Sequence, residues 1–147
     1  YQLLRQLYDQ GLQVPEPIAA GAIRYGLFYE AAILIRRIPG AVPLPEVDNL
    51  HDEALWREVG RTIRRFHDAG LDHVDLNCDN ILVAGGVVYL IDFDRCRLRL
   101  ADPGGSWRNR NLDRLQRSVA KRITQLTKPR RTALWQFLSN EYHGAGE

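Results

Sequence analysis

Apolar and polar residues follow two rhythms along the chain, one of three to four residues and one of two. Between Tyr1 and Gln10, Leu3, Leu4 and Leu7 share one face of a helix, and Gly11 stands just past its end, where a left-handed backbone is favoured. Val14 to Pro17 reads as an extended linker. Ile18 to Ile23 and Leu27 to Ile38 read as two adjacent strands, turned at Tyr25 and Gly26 and stopped by Pro39 and Gly40. Ile33 and Leu34 are expected to be buried in the second of these. Ala41 to Asp48, with Pro43 and Pro45, reads as a loop unable to enter a ladder.

Helical spacing returns after the loop. Asn49 is placed to cap a helix whose first turn holds Asp52 and Glu53, and Leu55, Val59, Ile63 and Phe66 form its apolar face until Gly70. Leu71 to Asn80 reads as a polar loop. Ile81 to Val83 and Val87 to Ile91 form a hairpin about Gly85 and Gly86. From Asn109 to Leu126, Leu112, Leu115, Val119, Ile123 and Leu126 step by three and four with arginines between them, which predicts a basic amphipathic helix packed on the core. Pro129 suits the first turn of a last helix carrying Ala133, Leu134, Phe137 and Leu138.

Composition narrows the class. A chain of 147 residues, 45% hydrophobic and 26% charged, suits one folded domain and excludes a disordered or low-complexity chain. The longest apolar runs, Ala31 to Ile35 and Val87 to Ile91, are far short of the roughly 18 residues of a membrane span. Cys78 and Cys96 match neither a disulfide framework nor a four-ligand zinc spacing, so both are expected as free thiols in a reducing cytoplasm. The chain opens at Tyr1 within a helical pattern and contains no methionine, so it is expected to be part of a longer protein.

Charge is unevenly distributed. Residues 1–94 carry eight arginines against fourteen aspartates and glutamates, whereas residues 95–131 carry twelve lysines and arginines against only Asp102 and Asp113. Such a stretch suits nucleic acid, an anionic membrane surface or a phosphorylated substrate, or forms a solvated helix face. Few aromatics other than Trp107 lie among these cations, which speaks against nucleic acid as the partner.

The chemistry is concentrated in His73, Val74, Asp75, Leu76, Asn77, Cys78, Asp79 and Asn80, followed twelve residues later by Asp92, Phe93 and Asp94 at the end of an apolar strand. Phosphoryl transfer needs these groups together. A hydroxyl needs a carboxylate to orient it and take its proton, a role open to Asp75, while magnesium on ATP needs hard oxygens, which Asn80 and Asp92 can supply. The hairpin between Asn80 and Asp92 returns one beside the other. His73 then braces the loop.

In this order, with an amphipathic helix before and a hairpin between, the set resembles the catalytic and metal loops of the protein-kinase-like fold. The resemblance implies an α+β fold. Residues 41–147 would form the helical C-terminal lobe, and residues 1–40 the end of the small lobe and the hinge, with the N-terminal part of the small lobe missing. Val74 stands where protein kinases carry a loop arginine, and Asp94 where they carry a glycine. Both departures point away from a phosphorylation-switched protein kinase.

Asp92 to Arg99, then Trp107, Asn111 to Ser118 and Lys121, resemble the 3-deoxy-D-manno-octulosonic acid (Kdo) kinase family of lipopolysaccharide assembly. Gly11 to Pro17 does also, with Gln13 where the family usually has proline. The resemblance implies ATP and Mg2+ as cofactors and transfer of the γ-phosphoryl group to a hydroxyl, the 4-hydroxyl, of Kdo on the lipid A precursor. It also implies a cytoplasmic enzyme lying peripherally on the inner membrane. Backbone groups of Arg36 and Ile38 would face the adenine. Asp94, Arg95 and Arg97, then Arg108, Arg114 and Arg117, would meet the carboxylate and phosphates of the acceptor.

A kinase also needs a glycine-rich loop, a strand lysine and a helix glutamate paired with it. The only lysines here are Lys121 and Lys128, and no Gly-x-Gly-x-x-Gly occurs, so this chain alone is expected to be close to inactive. Two other readings stay open: a kinase of the same superfamily acting on heptose, another sugar or a protein, and an inactive kinase-like module that binds anionic glycolipid.

Overall fold

The computed structural model describes residues 1–26, 28–99 and 105–144. Helix α1 (Gln2–Asp9) buries Leu4 and Leu7, and the segment after it is stitched to the core by Val14 and by a hydrogen bond from the Leu90 amide to the Gln13 carbonyl (3.1 Å). Strands β1 (Pro17–Tyr25) and β2 (Phe28–Ile35) then form an antiparallel ribbon with Tyr25 opposite Phe28. The ribbon ends at Ile35, three residues earlier than the apolar run suggested. Ile33 and Leu34 are not buried: they are 51% and 60% exposed, because among the described residues nothing packs over that part of the two-stranded ribbon.

Pro43 corrects a second expectation. Val42–Pro43 forms strand β3, pairing with strand β5 (Ile81–Ala84), which in turn pairs with β6 (Val87–Leu90). The strand order β3-β5-β6 puts Pro43 on the edge, where the amide hydrogen it lacks is not needed. A 3-10 turn at Leu44–Glu46 follows, with Leu44 fully buried.

Helix α2 (Glu53–Asp68) starts later than Asn49 suggests. Its cap is Asp52, whose side chain accepts the Ala54 amide hydrogen at 2.9 Å. Leu55, Val59, Ile63 and Phe66 are buried as their spacing requires, and Trp56, Gly60, Thr62 and His67 widen the buried face. Gly60 marks the crossing with the last helix, since a Cβ there would lie 2.3 Å from the Leu138 carbonyl oxygen. Gly70, at φ +86°, ends the turn after α2 and exchanges backbone contact with Arg99, whose amide donates to its carbonyl at 2.8 Å.

Leu71 to Asn80 is neither a simple loop nor mostly polar in its surroundings. Strand β4 (Leu71–Asp72) pairs antiparallel with β7 (Arg97–Leu98), a 3-10 turn spans Cys78–Asn80, and Leu71, Asp72, His73, Leu76 and Cys78 are buried. Both cysteines are free.

Helix α3 runs Ser106–Arg122, earlier than its apolar stripe at both ends, and buries Trp107, Asn111, Leu115 and Val119. Ile123 and Leu126 lie beyond its end yet are buried, and the Arg131 guanidinium donates to both of their carbonyls (3.0 and 2.6 Å). Helix α4 (Lys128–His143) has Thr127 as its cap and Pro129 in its first turn. Its buried residues are Leu134, Leu138 and Tyr142; Ala133, placed on that face by its sequence spacing, is exposed. No helix among the described residues is long and apolar enough to cross a membrane.

Candidate active site

The segment from His73 to Asn80 folds into a scaffold that leaves one carboxylate in solvent. His73 is buried, and burial lowers its pKa, so the ring is neutral and Nε2 donates to the Ile91 carbonyl at 3.0 Å. Its ring lies against Phe93 with centroids 5.6 Å apart. A tight turn, closed by the Leu76 amide on the His73 carbonyl (3.1 Å), sends Leu76 into the core and Asp75 outward. The Asp75 side chain is 58% exposed and so open to an incoming hydroxyl.

Two asparagines then lock the loop. Asn77 Oδ1 accepts the amides of Asp79 and Asn80 at 3.0 and 3.1 Å, capping the 3-10 turn. The Nδ2 groups of Asn77 and Asn80 both donate to the Asp75 carbonyl at 3.1 Å. With its NH2 group so engaged, Asn80 keeps its amide oxygen available as a ligand. Its backbone carbonyl receives the Ile91 amide at 3.1 Å, which sets Asp92 next to it in space. Hydrogen bonds thus join the segments that carry Asp75, Asn80 and Asp92.

Asp92 has φ +62° and Arg95 φ +63°, the non-glycine residues with positive φ among those described. Such a backbone costs about 1–3 kcal/mol and persists where the surroundings impose it. Here the Cys96 amide donates to the Phe93 carbonyl (3.1 Å) and the Phe93 ring stacks on Phe66 (6.4 Å). Burial, with Asp92 nearby, pushes the Cys96 thiol up to about 11, so it remains protonated. Asp92, Phe93 and Asp94 line a cavity of about 240 Å3 together with Leu3 and Leu4 of α1 and Ile33 and Ile35 of β2. A mostly apolar lining with two carboxylates suits a small ligand that has an apolar body and a few polar groups.

Among the described residues, no three His, Cys, Asp or Glu side chains gather as a complete metal cage. The Asn80 amide oxygen and the Asp92 carboxylate are hard donors and too few to enclose an ion by themselves. That set fits Mg2+, which keeps waters and takes its other oxygens from phosphates.

Helix α3 holds the loop through Asn111, Ser118 and Arg122, which the sequence reading missed. Asn111 accepts the His73 amide (2.9 Å) and donates to Asp72 (3.0 Å). Arg114 Nη1 lies 4.0 Å from Asp75 Oδ1. Ser118 Oγ accepts the Cys78 amide (3.1 Å) and contacts its Sγ (2.9 Å), while Arg122 grips both Asp79 oxygens with bonds of 2.7 to 3.2 Å. These four polar residues recur at spacings of three, four and four beside Leu115 and Val119, a stripe the sequence shows once the apolar one is set aside. Burial pushes the Asp72 carboxyl up, but bonds from Asn111 and Arg99 outweigh it and hold the carboxyl below its ordinary value.

The arginines separate by what they already hold. Arg108 is not open to an acceptor: it donates to Asp68 and to the His67 carbonyl (2.9 Å each) and lies over Trp107. Asp94, Arg95, Arg97 and Arg117 are exposed. Arg36 is paired with Glu16 through its side chain and through its amide (2.8 Å), and the Ile38 carbonyl accepts the Ala41 amide (3.3 Å).

The sequence profile of the lipopolysaccharide kinase (Kdo/WaaP) family matches residues 1–142. The chain is 49% identical over 123 residues to a 3-deoxy-D-manno-octulosonic acid kinase of Xylella fastidiosa strain M12, covering 82% of this chain and 49% of that protein. It is 50% identical over 129 residues to one of Stenotrophomonas maltophilia strain K279a, with the same coverage. The chain therefore spans about half the length of the curated relatives it matches.

Among solved structures it is similar to WaaP in complex with acyl carrier protein, at TM-score 0.71 and 21% identity over 97% of this chain and 64% of that one. It also resembles the Rio2 kinase of Chaetomium thermophilum in its ADP/Mg2+-phosphoaspartate complex, at TM-score 0.59 and 20% identity over 97% and 46%. The fold is protein-kinase-like, and with the profile covering nearly all of its length the chain belongs to the lipopolysaccharide kinase (Kdo/WaaP) family.

Proposed function

We propose that this chain is the catalytic part of an ATP-dependent kinase that phosphorylates the 4-hydroxyl of Kdo on the lipid A precursor, in lipopolysaccharide core synthesis. The observation that carries this reading is Asn80, whose side chain holds the Asp75 backbone while its own backbone holds Ile91, the residue before Asp92. A base and a pair of hard-oxygen ligands tied together by one residue are what phosphoryl transfer to an alcohol requires.

Residues 41–147 form the catalytic lobe in this reading, and residues 1–40 the end of the small lobe and the hinge. The Arg36 carbonyl and the Ile38 amide, unbonded among the described residues while Glu16 and Ala41 take the other groups, would meet the adenine edge. Asn80 and Asp92 would hold Mg2+, which neutralises phosphate charge when bound. Asp75 orients the acceptor hydroxyl and takes its proton, and His73 keeps the loop in register. Asp94, Arg95, Arg97 and Arg117 face the carboxylate of Kdo and the phosphates of lipid A. The arginines beside the stripe from Leu112 to Leu126 would hold the enzyme peripherally on the anionic inner membrane.

The test is a transfer assay with the full-length protein, ATP and Mg2+ on a panel of acceptors: Kdo-bearing lipid A precursor, heptosylated core and a generic protein substrate. Phosphate on Kdo, lost in Asp75→Asn, supports the reading. Phosphate on heptose or protein instead reassigns the acceptor. No transfer to any of them, with no nucleotide bound, overturns the kinase.

A further inference from the structure

The loop from His73 to Asn80 contains no lysine or arginine, yet its carboxylates Asp75 and Asp79, with Asp92 and Asp94 opposite, would have to receive a polyphosphate. Besides the Mg2+ proposed at Asn80 and Asp92, a cationic side chain must come from outside this loop. Asp79 is neutralised by Arg122. Beside Asp75, the described residues offer one guanidinium within 4 Å, that of Arg114.

Its position is imposed. Asn111, three residues earlier, is bonded to His73, and Ser118, four residues later, is bonded to Cys78. Helix α3 therefore cannot rotate without breaking buried bonds, and the residue between them has to face Asp75. Arg114 differs from its bonded neighbours in what it has not spent, and from Arg117, which is also unbonded among the described residues, in lying beside Asp75. Arg99, Arg108 and Arg122 all hold carboxylates at 2.7 to 2.9 Å. The 4.0 Å separation of Arg114 from Asp75 is too long for a hydrogen bond, and Arg114 makes none among the described residues. An exposed pair of that length adds little to folding.

We infer that Arg114 is a catalytic residue that contacts the phosphoryl group in flight, through guanidinium donors held next to the base and unbonded among the described residues. This rests on the kinase reading of the site. In the step, the acceptor oxygen forms a bond to the γ-phosphorus, and the bond from that phosphorus to the β,γ-bridging oxygen breaks. The electron pair leaves with ADP, the hydroxyl proton passes to Asp75, and Arg114 stays protonated throughout. Its charge acts on the equatorial oxygens, where donors fixed in advance are most effective.

The experiment compares the full-length wild type with Arg114→Gln, Arg114→Lys and, as control on the same helix, Arg110→Gln, whose residue bonds only to Ser106 among the described residues. In neutral detergent with the Kdo glycolipid, Arg114→Gln should lower kcat about 10²-fold with KM for ATP within about twofold of wild type, and Arg114→Lys should regain about tenfold of that. Arg110→Gln should match wild type. A second readout needs no acceptor: Mg-ADP with aluminium fluoride, which mimics the phosphoryl group in transfer, should bind Arg114→Gln about 10²-fold more weakly while ADP binds equally. Unchanged kcat overturns the inference. So does a loss confined to the glycolipid KM that fades in high salt, or a kcat loss with wild-type affinity for the fluoride complex. If wild type leaves the glycolipid untouched but binds the fluoride complex more tightly than ADP, the acceptor assignment fails and the fluoride comparison alone decides Arg114.

Discussion

The Asn80 side chain donates to the backbone carbonyl of Asp75 at 3.1 Å, joining the proposed metal ligand to the proposed base. Asn80→Asp removes the donor and sets a carboxylate against that carbonyl. Nucleotide affinity measured with Mg2+ should fall, and kcat should fall further because Asp75 loses one of its two asparagine supports. A variant with wild-type kcat would show that Asn77 alone holds the loop.

Asp75→Asn should lower kcat by about 10²–10⁴ while leaving Mg-ADP binding nearly intact, since a positioned base contributes to the chemical step and not to nucleotide binding. Calorimetric titration with ADP beside steady-state kinetics separates the two. Normal turnover would remove Asp75 from the reaction.

Asn111 carries the junction behind the site. Asn111→Leu leaves the His73 amide and an Asp72 oxygen unsatisfied in the interior, and the expected loss is about 1–3 kcal/mol for each orphaned group. Urea unfolding measures it. A loss below about 0.5 kcal/mol would mean that water replaces the amide.

His67 predicts acid sensitivity. Burial, helped by Arg108, lowers its pKa to about 4 from the ordinary 6.5, and its Nδ1 contacts the Tyr142 hydroxyl at 2.7 Å. Between these pH values the unfolded chain binds the proton and the folded chain does not, so stability falls as pH drops through that window. The loss is on the order of 3 kcal/mol. His67→Gln should show a shallower slope between pH 7 and 4.5 in thermal melts; an unchanged slope would place the titration elsewhere.

Gly60→Ala should destabilise strongly, because the new methyl would meet the Leu138 carbonyl at 2.3 Å and force α2 and α4 apart. Overpacking of this kind costs about 1–3 kcal/mol or more. A melting temperature within a degree of wild type would show that the crossing yields.

Much of this protein is readable along the chain. Leu55, Val59, Ile63 and Phe66 point inward because a helix repeats every 3.6 residues whatever surrounds it, and two glycines turn the hairpin that returns Asp92 to Asn80. Both are local consequences of backbone geometry, so residue types and their order already placed Asn80 near Asp92. Position within the sheet is not local. Among the described residues, Pro43 enters a ladder because its strand has no outer neighbour, and Ile33 and Leu34 stay exposed because no layer covers them, although their residue types suit burial.

The arginines show the same division most sharply. Their number and spacing on α3 are properties of the sequence. Which of them are spent is not: Arg108 closes on Asp68 across forty residues and Arg122 on Asp79 across forty-three, while Arg114 stops short of Asp75. Charge is written residue by residue, but a hydrogen bond needs two partners within about 3 Å, and only the docking of α3 against the loop brings such distant groups that close.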